Sequence, residues 1–181
     1  AAVDLEHGHI SIESLPDIFR ALELGNTLPF ARLANSDPIN CKSILDAGAA
    51  GIILPKIETS DQLINIREAT RWPPSGIRGV GFSRANLFGK YFDEYSIEAQ
   101  SPFLVAMIES KKGCENIEDI IQVDGLDAIF IGPYDLSASL GVTGDFNSDI
   151  FKDAISLIKE KCEKNSMSCG IHVVEPSSAR L

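Results

Sequence analysis

The sequence has no run of 18 apolar residues, which excludes a hydrophobic membrane-spanning helix. Basic residues are scarce. Lys and Arg number 16 against 26 Asp and Glu, a net charge of −10. Such a surface repels a polyphosphate, so nucleic acid is set aside as a partner. The four cysteines, Cys41, Cys114, Cys162 and Cys169, show no C-x-x-C spacing. They read as reduced thiols, the state expected in the cytoplasm. Gly76-x-x-Gly79-x-Gly81 is not the dinucleotide fingerprint, and no strand leads directly into it. There is no P-loop and no internal repeat. No linker composition divides the chain, so one domain is expected over residues 1–181.

What is present is an alternation of short apolar runs and helical patterns. Strands are expected at Ala2–Leu5, Leu28–Leu33, Gly51–Leu54, Phe103–Ile108, Ala128–Ile131 and Cys169–Val173. Helices are expected at Ile12–Leu24, Pro38–Leu45, Ser60–Thr70, Asn116–Val123 and Ser148–Lys164. Ser11 is a plausible N-cap, Asp37-Pro38 is a strong helix opening, and Gly48 is a natural stop. The series argues for an α/β fold with a parallel sheet and right-handed crossovers. Residues 71–100 break the rhythm with Pro, Gly and Arg, and read as a long functional loop with a helix near 91–100.

Polar groups recur where strands end: Glu6-His7, Arg32, Lys56, Glu109, Asp135 and His172. In a (β/α)8 barrel that end carries the active site, and open doubly wound sheets bind ligands there too. Six strands favour a TIM-type barrel without its first and last βα units. In keeping with that, the chain opens inside a strand without an initiator Met, and "EPSSARL" reads as the start of a helix.

Glu109 and Asp135 leave consecutive strands, which lie about 5 Å apart, so the two carboxylates could grip one divalent cation. Oxygen ligands in small number suit Mg²⁺ or Mn²⁺. The alternative is that Glu109 pairs with Lys111 or Lys112 and Asp135 caps a helix. Gly132-Pro133 then opens a helix whose first amides, at Tyr134 and Asp135, could receive a small carboxylate. The alternative there is a plain strand-to-helix turn. Asp46 ends its helix, where the dipole disfavours an acid, so it calls for a cationic partner. An imidazolium such as His7 would make the pair a tuned general base, and a lone structural His is the alternative. Arg32 could bind an oxyanion or form a surface ion pair. Gly76, Arg78 and Arg84 could meet a distal carboxylate or sugar hydroxyls, or brace their loop. Lys56 is the residue a Schiff-base mechanism would use.

"VDLEHG", "FARLANSDP", "ILDAGAAGIILPKIET", "RWPPSGIRGVG", "AMIES" and "IFIGPYDLSASLG", in this order, resemble the HpcH/HpaI aldolases over essentially the whole chain. These are metal-dependent pyruvate aldolases of the phosphoenolpyruvate/pyruvate-binding barrel superfamily. The resemblance implies cleavage of a 4-hydroxy-2-oxo acid to pyruvate and an aldehyde. It makes Glu109 and Asp135 the metal ligands and His7 the base, with Asp46 its dyad partner, in the family supplied across a subunit interface. Arg32 would contact the substrate's keto or enolate oxygen, and the Gly132-Pro133-Tyr134-Asp135 backbone would hold the carboxylate. It also implies a homo-oligomer, typically a hexamer. Met107 departs from the pattern, since many members carry Gln there, and a thioether donates no hydrogen bond. A different acceptor, a citrate- or malyl-type lyase or synthase, and a non-catalytic 2-oxo-acid-binding subunit are the readings this departure and the chain ends keep open.

Overall fold

The computed structural model describes residues 1–174; the helix start expected in "EPSSARL" lies, from Glu175 on, outside the described residues. The chain divides into two compact units, residues 1–55 with 64–104, and residues 56–63 with 105 onward. Among the described residues no helix is long and apolar enough to cross a membrane.

In the first unit, β1 (Ala2–Asp4), β2 (Phe30–Arg32) and β3 (Gly51–Leu54) run parallel. Asp4 stands beside Arg32 in the register. α1 (Leu15–Leu24) buries Leu15 and Phe19. The expected helix from Ile12 is broken into a 3-10 turn, Ile12–Ser14, and α1. Pro16 explains the break. In one continuous helix it would lack the N–H owed to the Ile12 carbonyl and would clash with it, whereas near the start of α1 neither cost applies. α2 (Pro38–Asp46) starts as expected: the Asp37 side chain accepts from the Ile39 N–H at 2.8 Å. At β3, a side chain on Gly51 would meet the Phe30 ring at 2.5 Å and Phe103 at 2.6 Å. Those two rings stack edge to face over it, centroids 5.4 Å apart. α3 (Ser60–Thr70) contributes its residues from Ile64 on to this unit. The 71–100 segment carries a 3-10 turn, Arg84–Gly89, and α4 (Phe92–Glu98).

The second unit takes β4 (Phe103–Ile108) from Val105 on, then β5 (Ala128–Ile131) and β6 (Ser168–Ile171), all parallel. Along β5, Ile129 and Ile131 are buried and alternate with the half-buried Ala128 and Phe130, the period-two pattern of a strand. The helix expected at 116–123 is the short α6 (Ile117–Ile121), and a further short helix not expected from the sequence, α5 (Lys111–Glu115), precedes it. Asn116 sits between them and donates through its side chain to the Glu58 carbonyl at 2.8 Å. α7 (Pro133–Ser139) follows β5, and α8 (Asp149–Lys164) buries Phe151, Ile158 and Cys162 on one stripe. All four cysteines are free thiols. Burial pushes Cys41 up to about 12 and Cys114 up to about 11, so both are inert packing groups.

Candidate active site

The first unit gathers charge where β1 and β2 end. Arg32 donates through Nε to Asp4 Oδ1 at 2.8 Å and through Nη2 to Asp4 Oδ2, and its Nη1 lies 3.4 Å from Glu6 Oε2. Asp4 also accepts the amides of Glu6 and His7 at 3.0 and 3.3 Å. The Arg32 guanidinium, with those amides, holds the Asp4 carboxyl down to about 2. One carboxylate therefore fixes both the orientation of Arg32 and the turn that presents His7. His7 itself is exposed.

Asp46 is half-buried, and its burial raises its pKa against the opposing pull of Arg78 and Lys42. The cation that the helix end calls for is Arg78, 3.9 Å away and fully buried, rather than an imidazolium. Arg78 also donates to the Thr70 carbonyl at 2.9 Å and the Tyr95 hydroxyl at 2.7 Å. Within this unit His7 and Asp46 lie at opposite ends of the strands. His7 follows β1, whereas α2 returns the chain to the start of β3 and Asp46 is its last residue. Arg84 donates to Glu23 at 2.5 Å and to the Ala47 carbonyl at 3.1 Å. Both arginines thus brace the 71–100 segment. A cavity of about 570 Å³ in this unit is lined by Leu28, Pro29, Ala50, Arg84 and Tyr91 and lies at the strand starts, away from the polar exits.

In the second unit Glu109 directly follows β4 and is only 3% exposed. Its Oε1 accepts the Lys56 backbone N–H at 2.7 Å, with Lys56 held at φ 51°. Its Oε2 leans over Gly132: a Cβ there would lie 2.6 Å from that oxygen and 2.8 Å from Met107 Cε. Lys111 and Lys112, the expected alternative partners, pair with Glu115 and Glu58 instead, at 3.8 and 3.3 Å. Asp135 is exposed and stands in the first turn of α7, whose N-cap is Gly132. It caps nothing and has no side-chain partner among the described residues. The first bond inside α7 runs from the Leu136 N–H to the Gly132 carbonyl, so the Tyr134 and Asp135 amides precede the helical ladder. Sequence reasoning missed Asp4 and the Lys56 amide. The Asp4–Arg32 pairing follows from strand register, and only the left-handed backbone at Lys56 reveals the second.

The sequence model for the HpcH/HpaI aldolase/citrate lyase family matches residues 2–175. The 5-keto-4-deoxy-D-glucarate aldolase of Escherichia fergusonii is 35% identical over 179 residues, which are 98% of this chain and 70% of the relative. An HpcH/HpaI aldolase/citrate lyase family protein from Burkholderia cenocepacia J2315 superposes with a TM-score of 0.93 at 30% identity, over 99% of this chain and 72% of that one. The M. tuberculosis citrate lyase β subunit, complexed with oxaloacetate and magnesium, has a TM-score of 0.59 at 17% identity, over 96% of this chain and 69% of that one, and shares the fold. Its parallel α/β architecture, the order of its motifs and these matches place the chain in the HpcH/HpaI aldolase/citrate lyase family, as a carbon–carbon lyase with that family's barrel-type fold.

Proposed function

We propose that the chain is a class II aldolase that uses a divalent metal to cleave a 4-hydroxy-2-oxo acid reversibly to pyruvate and an aldehyde. The setting of Glu109 carries this reading: a buried carboxylate at a strand exit, fixed by a backbone amide and given room by a glycine. With Asp135 it offers oxygen donors only. No group of three or more His, Cys, Asp or Glu forms a metal cluster among the described residues. A cation held by so few protein oxygens completes its shell with water and substrate, which suits Mg²⁺ or Mn²⁺. When bound, it supplies Lewis acidity toward the 2-oxo and carboxylate oxygens.

The chain's own groups do the remaining work. The Gly132-Pro133 turn offers the Tyr134 and Asp135 amides to the substrate carboxylate. Arg32, oriented by Asp4, donates to the oxygen that gains negative charge. His7 removes the C4-hydroxyl proton, directly or through a water, a contribution of roughly 10²–10⁴-fold. The C3–C4 bond then breaks, C4 leaves as the aldehyde, and its electron pair stays with the 2-oxo fragment, which takes a proton at C3 to become pyruvate. Asp46 orients the imidazole. Because it sits at the far end of the strands from His7 in its own chain, the dyad is formed with Asp46 of a second copy, and a homo-oligomer, a hexamer by family resemblance, belongs to the proposal. The four free thiols fit a reducing cytoplasm.

The relative's name puts 5-keto-4-deoxy-D-glucarate first among substrates to try. A citrate-type lyase or synthase acting through the same carboxylates is the second reading, favoured by the buried thioether of Met107 beside Glu109. The test is pyruvate release from a panel of 4-hydroxy-2-oxo acids with Mg²⁺, with EDTA, and after metal is restored. Release stopped by EDTA and restored by metal is expected. Release indifferent to EDTA and trapped by borohydride at Lys56 would contradict the proposal. Turnover confined to CoA thioesters or citrate-like acids would select the second reading.

A further inference from the structure

His172 takes no part in the roles above, yet the strand register brings it to the Glu109 row. Ile108 pairs with Ile131, and Ile131 with Ile171. The next residues along the three strands are Glu109, Gly132 and His172. Backbone bonds continue the ladder past the strand ends, from the Gly132 N–H to the Ile108 carbonyl at 3.2 Å and from the His172 N–H to the Ile131 carbonyl at 3.1 Å.

The three residues also share a face. A Cβ on Gly132 would point at Glu109 and Met107, so these lie on one side of the sheet. A Cβ on Gly170 would point at the Phe130 ring, 3.5 Å away. Side chains alternate along a strand, so Phe130 goes with Gly132 and Gly170 with His172. This is the side opposite Ile129 and Ile131, which are 1% and 3% exposed. Gly132, in the middle, has no side chain. In the register Glu109 stands on one side of it and His172, which is exposed, on the other. Adjacent strands are about 4.8 Å apart, so the flanking residues are separated by roughly 10 Å across the sheet, room for a small acid.

We propose that His172 is a substrate-binding residue whose imidazole hydrogen-bonds an oxygen on the 2-oxo-acid fragment held at Glu109 and Gly132. It would select donors that carry a hydroxyl or second carboxylate next to the 2-oxo group. This deepens the aldolase proposal and rests on it. An imidazole that loses its partner to an alkyl group is left unpaired, which turns a single hydrogen bond into discrimination of about tenfold.

Hydroxypyruvate and 2-oxobutanoate are the probes, since they differ by a hydroxyl in place of a methyl. Their dissociation constants are measured by calorimetry with Mg²⁺ for the full chain, for His172→Leu and for His172→Gln. Both donors are also assayed in the condensation direction with one fixed aldehyde. The wild type should bind and use hydroxypyruvate about tenfold better than 2-oxobutanoate. His172→Leu should abolish or reverse that ratio, and His172→Gln, which keeps a polar group, should retain part of it. An equal ratio in wild type and His172→Leu, with pyruvate turned over, overturns the role of His172 and leaves the aldolase proposal standing. Binding of the donors with the His172-dependent ratio but no carbon–carbon chemistry fails the aldolase proposal and keeps the residue's role. Failure of the wild type to bind either donor overturns both.

Discussion

At the strand exits of the first unit, charge meets charge: Arg32 lies between Asp4 and Glu6, and at the other end of the strands Arg78 faces Asp46. At the exits of the second unit a carboxylate is held differently. Glu109 takes a backbone amide from Lys56 and the space left by Gly132, and Asp135 stands exposed one turn into α7. The difference separates two tasks. A guanidinium fixed by an anion is an oriented donor. A carboxylate positioned by a backbone amide is an oriented acceptor. The first arrangement is suited to an oxyanion and the second to a metal ion, the two partners that aldol chemistry at a 2-oxo acid requires.

The largest effect that would break this contrast comes from Gly132→Ala. The new methyl would meet Glu109 Oε2 at 2.6 Å and Met107 Cε at 2.8 Å. Both are ends of flexible side chains, so the fold should lose no more than about 1–3 kcal/mol. The carboxylate must move, however, and turnover should fall about 100-fold, in keeping with the sensitivity of reacting groups to displacements near 1 Å. Thermal melting and pyruvate release measured on the same preparation separate the two. Equal losses in stability and activity would mean that Gly132 serves packing alone.

A smaller effect sharpens the other half. The Asp4 pKa is lowered in the folded chain from 3.8 to about 2. The unfolded state therefore binds the proton first on acidification. The stabilisation is present above the unfolded value and is lost as pH falls from near 4 toward 2. The pair is partly exposed, so solvent screening leaves about 1 kcal/mol. Urea unfolding at pH 7 and pH 3 should show Asp4→Asn destabilised at the higher pH and less so at the lower. A constant difference between them would place the cost in packing rather than in charge.

Much of this was readable from residues alone. The six strands follow from short apolar runs, and α2 from Asp37-Pro38, because these signals are local. What escaped depends on contacts distant in sequence or on backbone geometry. Arg78 reaches Asp46 from 32 residues away, and its neighbours describe a loop rather than a partner. Lys56 adopts a left-handed backbone that no Gly or Asn announces. The break before α1 was written in Pro16, but the apolar spacing of Ile12–Leu24 hid it. Glu109 and Asp135 were visible as acids at strand exits, whereas the amide and the glycine that position Glu109 became visible only with the fold.

The claim that the second unit holds a catalytic divalent cation is tested most directly by titrating Mn²⁺ into the protein and following free ion by electron paramagnetic resonance. Wild type should bind one Mn²⁺ per chain, competed by Mg²⁺. Glu109→Gln and Asp135→Ala should each weaken that binding at least tenfold while their circular dichroism stays that of the wild type. Undiminished Mn²⁺ binding in both variants would contradict the account and move the metal, if there is one, away from these two carboxylates.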